Sequence, residues 1–535
     1  MLLTCLLAAS CGGGGSGDVG TGTSPPPTGG GSSTPAQPTD ILTYKYDAMR
    51  SGANVTESVL TTQNVNSTSF GLLRFLPTDG KVDAQPLYLS GLSISGASHN
   101  VVYVATENDS VYAFDADTGT QLWQVSLLGA GESPSDPVNC GQVTPTIGIT
   151  STPVIDPAAG AHGTLFVVAM SKSGSSYFQR LHALDVTTGA ELLNGPVPIS
   201  ASYPVSGGTM TFQPENYEER AALLLSQGTI YTSWTSHCDQ GAYSGWVIAY
   251  SESALTQTAV FNAAPNSGQR GPAIWMAGGG PAADPNGHVY LLTANGGFET
   301  TLDSGGFPNQ GDYGNSFLKL TLSGGTLAVA DYFAMYNEVS ESAADQDLGS
   351  GGILLLPDLT DSSGTARQLA VGAGKDGNLY VVDRNSMGKF SASTNNIFQE
   401  LDGVLGGGIW STPAYFNNTV YYGPSGGQLV SFGIAQAKLA PASQSSAAFE
   451  YPGTAPSVSA NATAEAIVWA HENSDPAVLH AYAAGNLGTE LYNSSQAGSR
   501  DQFGAGNKFI TPVVADGKVF VGSVNGVAVF GLLGN

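Results

Sequence analysis

The chain has 535 residues, 41% of them apolar and only 11% charged, with 71 glycines and 29 prolines. Forty-two carboxylates against 17 Lys and Arg give a formal charge of -25. Such a surface repels phosphate backbones and anionic lipid heads, which excludes a nucleic-acid partner and membrane binding through basic patches.

The first 11 residues, MLLTCLLAASC, are apolar but far too short to span a bilayer, which takes about 20 residues. The run ends in small residues and Cys11, as the tail of a lipoprotein-type secretory signal does, although no Lys or Arg precedes it. Cys11 is the expected lipid acceptor. Residues 12–40 are dominated by Gly, Ser, Thr and Pro, a composition that builds no core and serves as a tether. The expectation is an exported protein, lipid-anchored to the cell envelope at the outer membrane or surface, or secreted, touching membrane only through the anchor. The folded body is expected over 41–535.

Within the body the clearest unit is VVYVATENDSVYAFDADTGTQLWQ at 101–124. Apolar and polar residues alternate in three runs separated by turns at Glu107–Asp109 and Asp117–Gly119, which reads as a small antiparallel meander. The grammar returns in RLHALDVTTGAEL, where Asp185 and Gly189 repeat the offsets of Asp115 and Gly119. Eight units begin near residues 84, 151, 221, 277, 349, 407, 464 and 510. A spacing of roughly 60 residues predicts an all-β, eight-bladed β-propeller, with seven blades as the alternative count. The last unit lacks an outer strand, and FGLLRFLP at 70–77 precedes the first unit. That strand is expected to close the ring by pairing with the last blade.

Units such as VYAFDADTGTQLW and LHALDVTTGAEL resemble the tryptophan-docking repeats of pyrroloquinoline-quinone (PQQ) dehydrogenases and their non-enzymatic relatives, including outer-membrane assembly propellers. YDAMRSGANVTESVLTTQNVN, GITSTPVID and GAGKDGNLYVVDRNSMG are similar to secreted bacterial members of the group. In its enzymes the resemblance implies a planar quinone on the propeller axis, above a tryptophan and beneath a disulfide of adjacent cysteines. Ca²⁺ is held there by Glu and Asn, with an Asp as base. This chain has no adjacent cysteines and no CxxCH haem site. The resemblance thus admits two readings. One is a surface-anchored module that binds a protein, small molecule or glycan; the other is a PQQ- and Ca²⁺-dependent dehydrogenase of alcohols or sugars.

Lys375 and Asp376, in GKDGNLY, resemble the segment that some relatives place beside the quinone, though KDG is also an ordinary hairpin turn. Trp275 precedes Gly278–Gly280, and Trp410 follows Gly406–Gly408. Glycine runs let backbones converge at an axis, where an indole offers a floor for a planar ligand or packs between sheets. Arg180 and Arg270, scarce cations in this chain, either clamp an anionic ligand or pair with carboxylates. Cys140 and Cys238 are either bridged or two buried thiols. Ser236–Asp239 reads as a turn, and Asp303, Asp312, Asp345 and Asp347 as solvated loop carboxylates without calcium-loop spacing. No metal site is identified.

Overall fold

Strands stacked between neighbouring sheets are buried on both faces, as Val101–Ala105 and Ser110–Asp115 are at every residue, and Asp, Asn and Gly end each strand after a few residues. A computed structural model describes residues 40–268 and 270–534; Cys11 and most of the tether lie outside the described residues. Eight four-stranded antiparallel meanders make up the propeller, numbered here as blades 1–8. Blade 1 comprises Leu87–Ile94, Ala97–Ala105, Ser110–Asp115 and Gln121–Ser126, in that order across the sheet. The first, innermost strands of blades 2–8 are Val154–Asp156, Leu224–Ser226, Ala282–Ala283, Leu354–Leu355, Ala414–Phe416, Ser457–Asn461 and Val513–Ala515. Blade 7 therefore starts a strand earlier, at Ser457–Asn461, than the unit read near 464.

The repeat's turn chemistry explains how the blades dock. Asp115 Oδ1 accepts from the backbone N–H of Asp117 and Thr118, and Asp185 Oδ1 does the same for Thr187. Gly189, at φ +70°, lies flat against the ring of Trp123 from blade 1, where an added Cβ would sit 2.9 Å from Cε3. The indole Nε1 of Trp123 donates to Val186 O of blade 2 at 3.1 Å. Each such contact staples an outer strand to the turn of the next sheet. The cores lie between blades; Trp469 and Val521, for example, share one cluster joining blades 7 and 8.

The ring closes through Phe70–Pro77, which pairs antiparallel with Gly526–Leu532 and so forms the outer strand of blade 8. A second closure is absent from the sequence reading. Residues 41–54 run as a belt inside the ring and bond to the inner edge of each blade in turn. Ile41 exchanges both backbone bonds with Tyr88, Leu42 O accepts from Ile155 N, and Arg50 Nη2 donates to Leu223 O. Ala48 O, Met49 O, Ser51 O and Gly52 O then accept from Ala283, Leu355, Tyr415 and Val458. Ala53–Asn54 pairs parallel with Val458–Ser459, and Asn54 Nδ2 reaches Val514 O of blade 8.

The belt satisfies inner-strand donors that would otherwise face an open channel, at the cost of a left-handed backbone at Lys45, Tyr46 and Arg50. Tyr44, Lys45 and Arg50 are buried, so protein fills the channel at this level. Among the described residues no helix is long and apolar enough to cross a membrane.

Candidate functional site

The loops that lead into the inner strands of blades 4–8 converge at the axis around a cavity of about 240 Å³. Trp275, Ser350, Trp410, Tyr451 and Phe509 come from those loops; Lys375 comes from the turn after the second strand of blade 5, and Cys238 and Asp239 from the corresponding turn of blade 3. The glycine runs beside both tryptophans have a steric reason. A Cβ on Gly407 would lie 2.0 Å from Ser425 O, so only glycine lets these loops close on the axis.

Trp410 and Tyr451 meet edge to face, with centroids 5.4 Å apart and planes at 74°. The ammonium of Lys375 bonds Asp347 at 2.6 Å and Asp345 at 2.9 Å. Burial opposes its charge, but the two carboxylates hold it above the usual lysine range. Burial raises the Asp347 carboxyl even though Lys375 pulls it the other way. Cys238 is bridged to Cys140 with Cα atoms 5.5 Å apart, and Ser236 Oγ donates to Asp239 Oδ1 at 2.7 Å, which fixes that turn against the cavity.

Of the residues singled out in the sequence, Trp275, Trp410, Lys375 and Cys238 thus share one cavity, as do Asp345 and Asp347, which read as solvated loop residues. Asp376 does not line it. Its carboxylate turns away from Lys375 to accept from Tyr380 Oη at 2.5 Å and Asn378 N at 3.2 Å, the geometry of the hairpin turn. Arg180 makes a bidentate pair with Glu132, at 2.8 and 2.6 Å, in a separate groove with His182 and Glu191. Arg270 is exposed and bridges Tyr243 through its backbone. Asp303 caps its own loop at Gly305 and Phe307, and Asp312 accepts from Asn266 N. Among the described residues, no three His, Cys, Asp or Glu side chains are grouped to hold a metal ion.

Sequence reasoning missed Tyr451 and Phe509, which stand in irregular loops with no pattern to mark them, and read Asp239 only as part of the Ser236–Asp239 turn. It also missed what lies behind Phe509. The Arg220 guanidinium packs on that ring at 5.1 Å, with Nη2 3.8 Å from Asp83 Oδ1. Glu107, Glu218 and His237 are buried in the same region. Burial and the neighbouring Asp83 carboxylate push Glu107 up to about 10; burial raises Glu218 to about 7 and lowers His237 to about 4.

A family model described as outer membrane protein assembly factor BamB matches residues 50–147 and 107–269. Quinohemoprotein alcohol dehydrogenase from Comamonas testosteroni superposes with a TM-score of 0.60 at 14% identity, over 92% of this chain and 80% of that one. Over the matched residues the chain is similar to that family, and its fold is that of the PQQ-like β-propellers. The quinohemoprotein alcohol dehydrogenase ADHIIG from Pseudomonas putida HK5 gives 0.61 at 15% identity, over 93% and 81% of the two chains. A europium-containing methanol dehydrogenase gives 0.56 at 13% identity, over 92% and 98%. At these identities the likeness is one of fold. No curated protein sequence matches this chain.

Proposed function

We propose that the working site of this PQQ-like propeller is the axial cavity and that the protein binds a small organic molecule there, rather than acting as a flat protein-docking scaffold. The observation that carries this is the convergence of two tryptophans, a tyrosine and a lysine–aspartate network on one concave site, while the belt fills the channel at the level of the inner strands. Export and lipid anchoring through Cys11 belong to the same proposal. The Cys140–Cys238 bridge supports it, since such bonds persist in oxidising compartments.

A dehydrogenase of the quinoprotein kind is the second reading, favoured by the flat indoles at the axis and by the Lys375 ammonium beside them. The ring-binding part of such a site fits. The charged part does not. PQQ carries three carboxylates, and the lining opposes them with Asp239, Asp345 and Asp347; among the described residues its one cation is Lys375, already paired twice. No reaction step is therefore derived through the quinone.

Titration of the purified full chain with PQQ, with and without Ca²⁺, separates the readings. Binding by tryptophan quenching that is lost in Trp410→Ala, with dye reduction on adding alcohols or sugars, establishes the dehydrogenase. Quenching by other small molecules but not by PQQ leaves the binding protein. If no small molecule quenches and Trp410→Ala changes no ligand's affinity, the axial proposal fails. Incorporation of labelled fatty acid into the wild type, and none into Cys11→Ala, tests the anchor.

A further inference from the structure

The lining that misfits a tricarboxylate fits its opposite. Three aromatic side chains, Trp275, Trp410 and Tyr451, line the cavity, and the last two meet edge to face at 74°, forming one corner of a box. The ring of Phe509 completes the lining, but Arg220 already occupies one face, so the box rests on the other three. A π face attracts a cation most strongly for tryptophan, and more so where water is displaced. The three lining carboxylates stand against one ammonium, which leaves two negative charges in excess. Asp347 is nearly buried and its charge is spent on Lys375; Asp345 and Asp239 are exposed at the edge, placed to draw in a positive ligand. The positive charge of Arg220 is set back behind Phe509 and faces Asp83 there.

On the reading that the axial cavity is the ligand site, we propose that its ligand is an organic cation, an alkylated ammonium compound seated between Trp275, Trp410 and Tyr451 with Asp239 and Asp345 at the entrance. A methylated ammonium group is apolar in shape and positive in charge, and it needs no hydrogen-bond partner. An aromatic box rimmed by carboxylates meets both demands, whereas a primary ammonium or a sugar would leave donors unpaired against the indoles. Lys375 then acts as a positioning residue. Held by Asp345 and Asp347, it presses the loops of blades 4 and 5 into place without presenting free positive charge to the ligand.

The test is a tryptophan-fluorescence and calorimetric titration of the full chain with choline, tetramethylammonium, the neutral isostere 3,3-dimethylbutan-1-ol, and acetate. The expected result is quenching by both cations, at least tenfold tighter binding of choline than of the neutral isostere, no binding of acetate, and weakening with salt. Trp410→Ala and Asp239→Asn should each weaken choline binding about tenfold, with circular dichroism unchanged. Trp410→Phe, which keeps a π face and refolds more safely, should fall between wild type and Trp410→Ala. Equal binding of the neutral isostere, or binding of PQQ or acetate but of neither cation, overturns the cation proposal and leaves the axial site standing. Absence of binding by every compound, PQQ included, overturns both.

Discussion

The belt makes a quantitative demand on Arg50. Its side chain is fully buried and donates four hydrogen bonds: Nε to Pro281 O at 2.9 Å, Nη1 to Thr43 Oγ1 at 2.8 Å and to Tyr44 O at 2.9 Å, and Nη2 to Leu223 O at 3.1 Å. Burial lowers its pKa to about 10, so it is still charged at neutral pH. A hydrogen bond to a charged group contributes about 1.5–3 kcal/mol, and the ion's own desolvation returns part of that. Arg50→Ala also strips three buried carbonyls of a donor, so the expected net loss is about 3–5 kcal/mol, a large share of a typical stability of about 5–15 kcal/mol. Arg50→Lys keeps the charge but cannot reach acceptors on the belt, blade 3 and blade 4 at once, and should lose nearly as much. Urea unfolding followed by tryptophan fluorescence measures this directly, the midpoint falling at unchanged slope. If Arg50→Met unfolds within 1 kcal/mol of wild type, the four bonds merely balance desolvation, and the belt is not anchored as argued.

Removing the Cys140–Cys238 bridge, which spans a sequence separation of 98, should cost about 2–4 kcal/mol, the usual range, with loop entropy for this length setting an upper value of about 4.7 kcal/mol, seen as a lower urea midpoint for the double serine variant. Glu107 is raised to about 10 by burial and by Asp83, so the folded state binds more protons than the unfolded one. Stability then falls as pH rises from about 4.5 towards 10. Glu107→Gln should flatten that fall and gain stability at pH 8, and an unchanged pH profile contradicts it. Gly407→Ala, which drives a Cβ into Ser425 O, should destabilise by more than about 2 kcal/mol and weaken any axial ligand in parallel; a silent variant refutes the packing argument.

The blades could be read from the sequence because their signals are local. Alternation sets the strands, and the Asp-to-Gly offset sets the turn that docks Trp123 against Gly189. The closing strand at 70–77 followed from simple deficit, since the last unit was one strand short. The belt carries no such signal. YKYDAMRSG has neither period, and most of its ring bonds run from its backbone to partners far along the chain, so nothing in its side chains announces them.

The site divides the same way. Glycine runs marked Trp275 and Trp410, whereas Tyr451, Asp239 and Phe509 reach the axis from irregular loops. Lys375 and Asp376 are neighbours with the same sequence evidence, and only the turn geometry separates them, one facing the cavity and the other spent on Tyr380. Asp345 and Asp347 looked like solvent-facing charge because the lysine they hold lies about 30 residues further on.

The belt also orders assembly in time. Tyr46 Oη accepts from Val514 N, and Asn54 donates to Val514 O, partners separated by 468 and 460 positions. The first part of the body to be synthesised is therefore the last to be fully housed, since its berth on blade 8 does not exist until the chain is nearly complete. Until then Tyr46 and Asn54 lack their blade 8 partners, and both hub and rim stay unlocked. A body interrupted within blade 8 would lose its clasp and its axle in the same event.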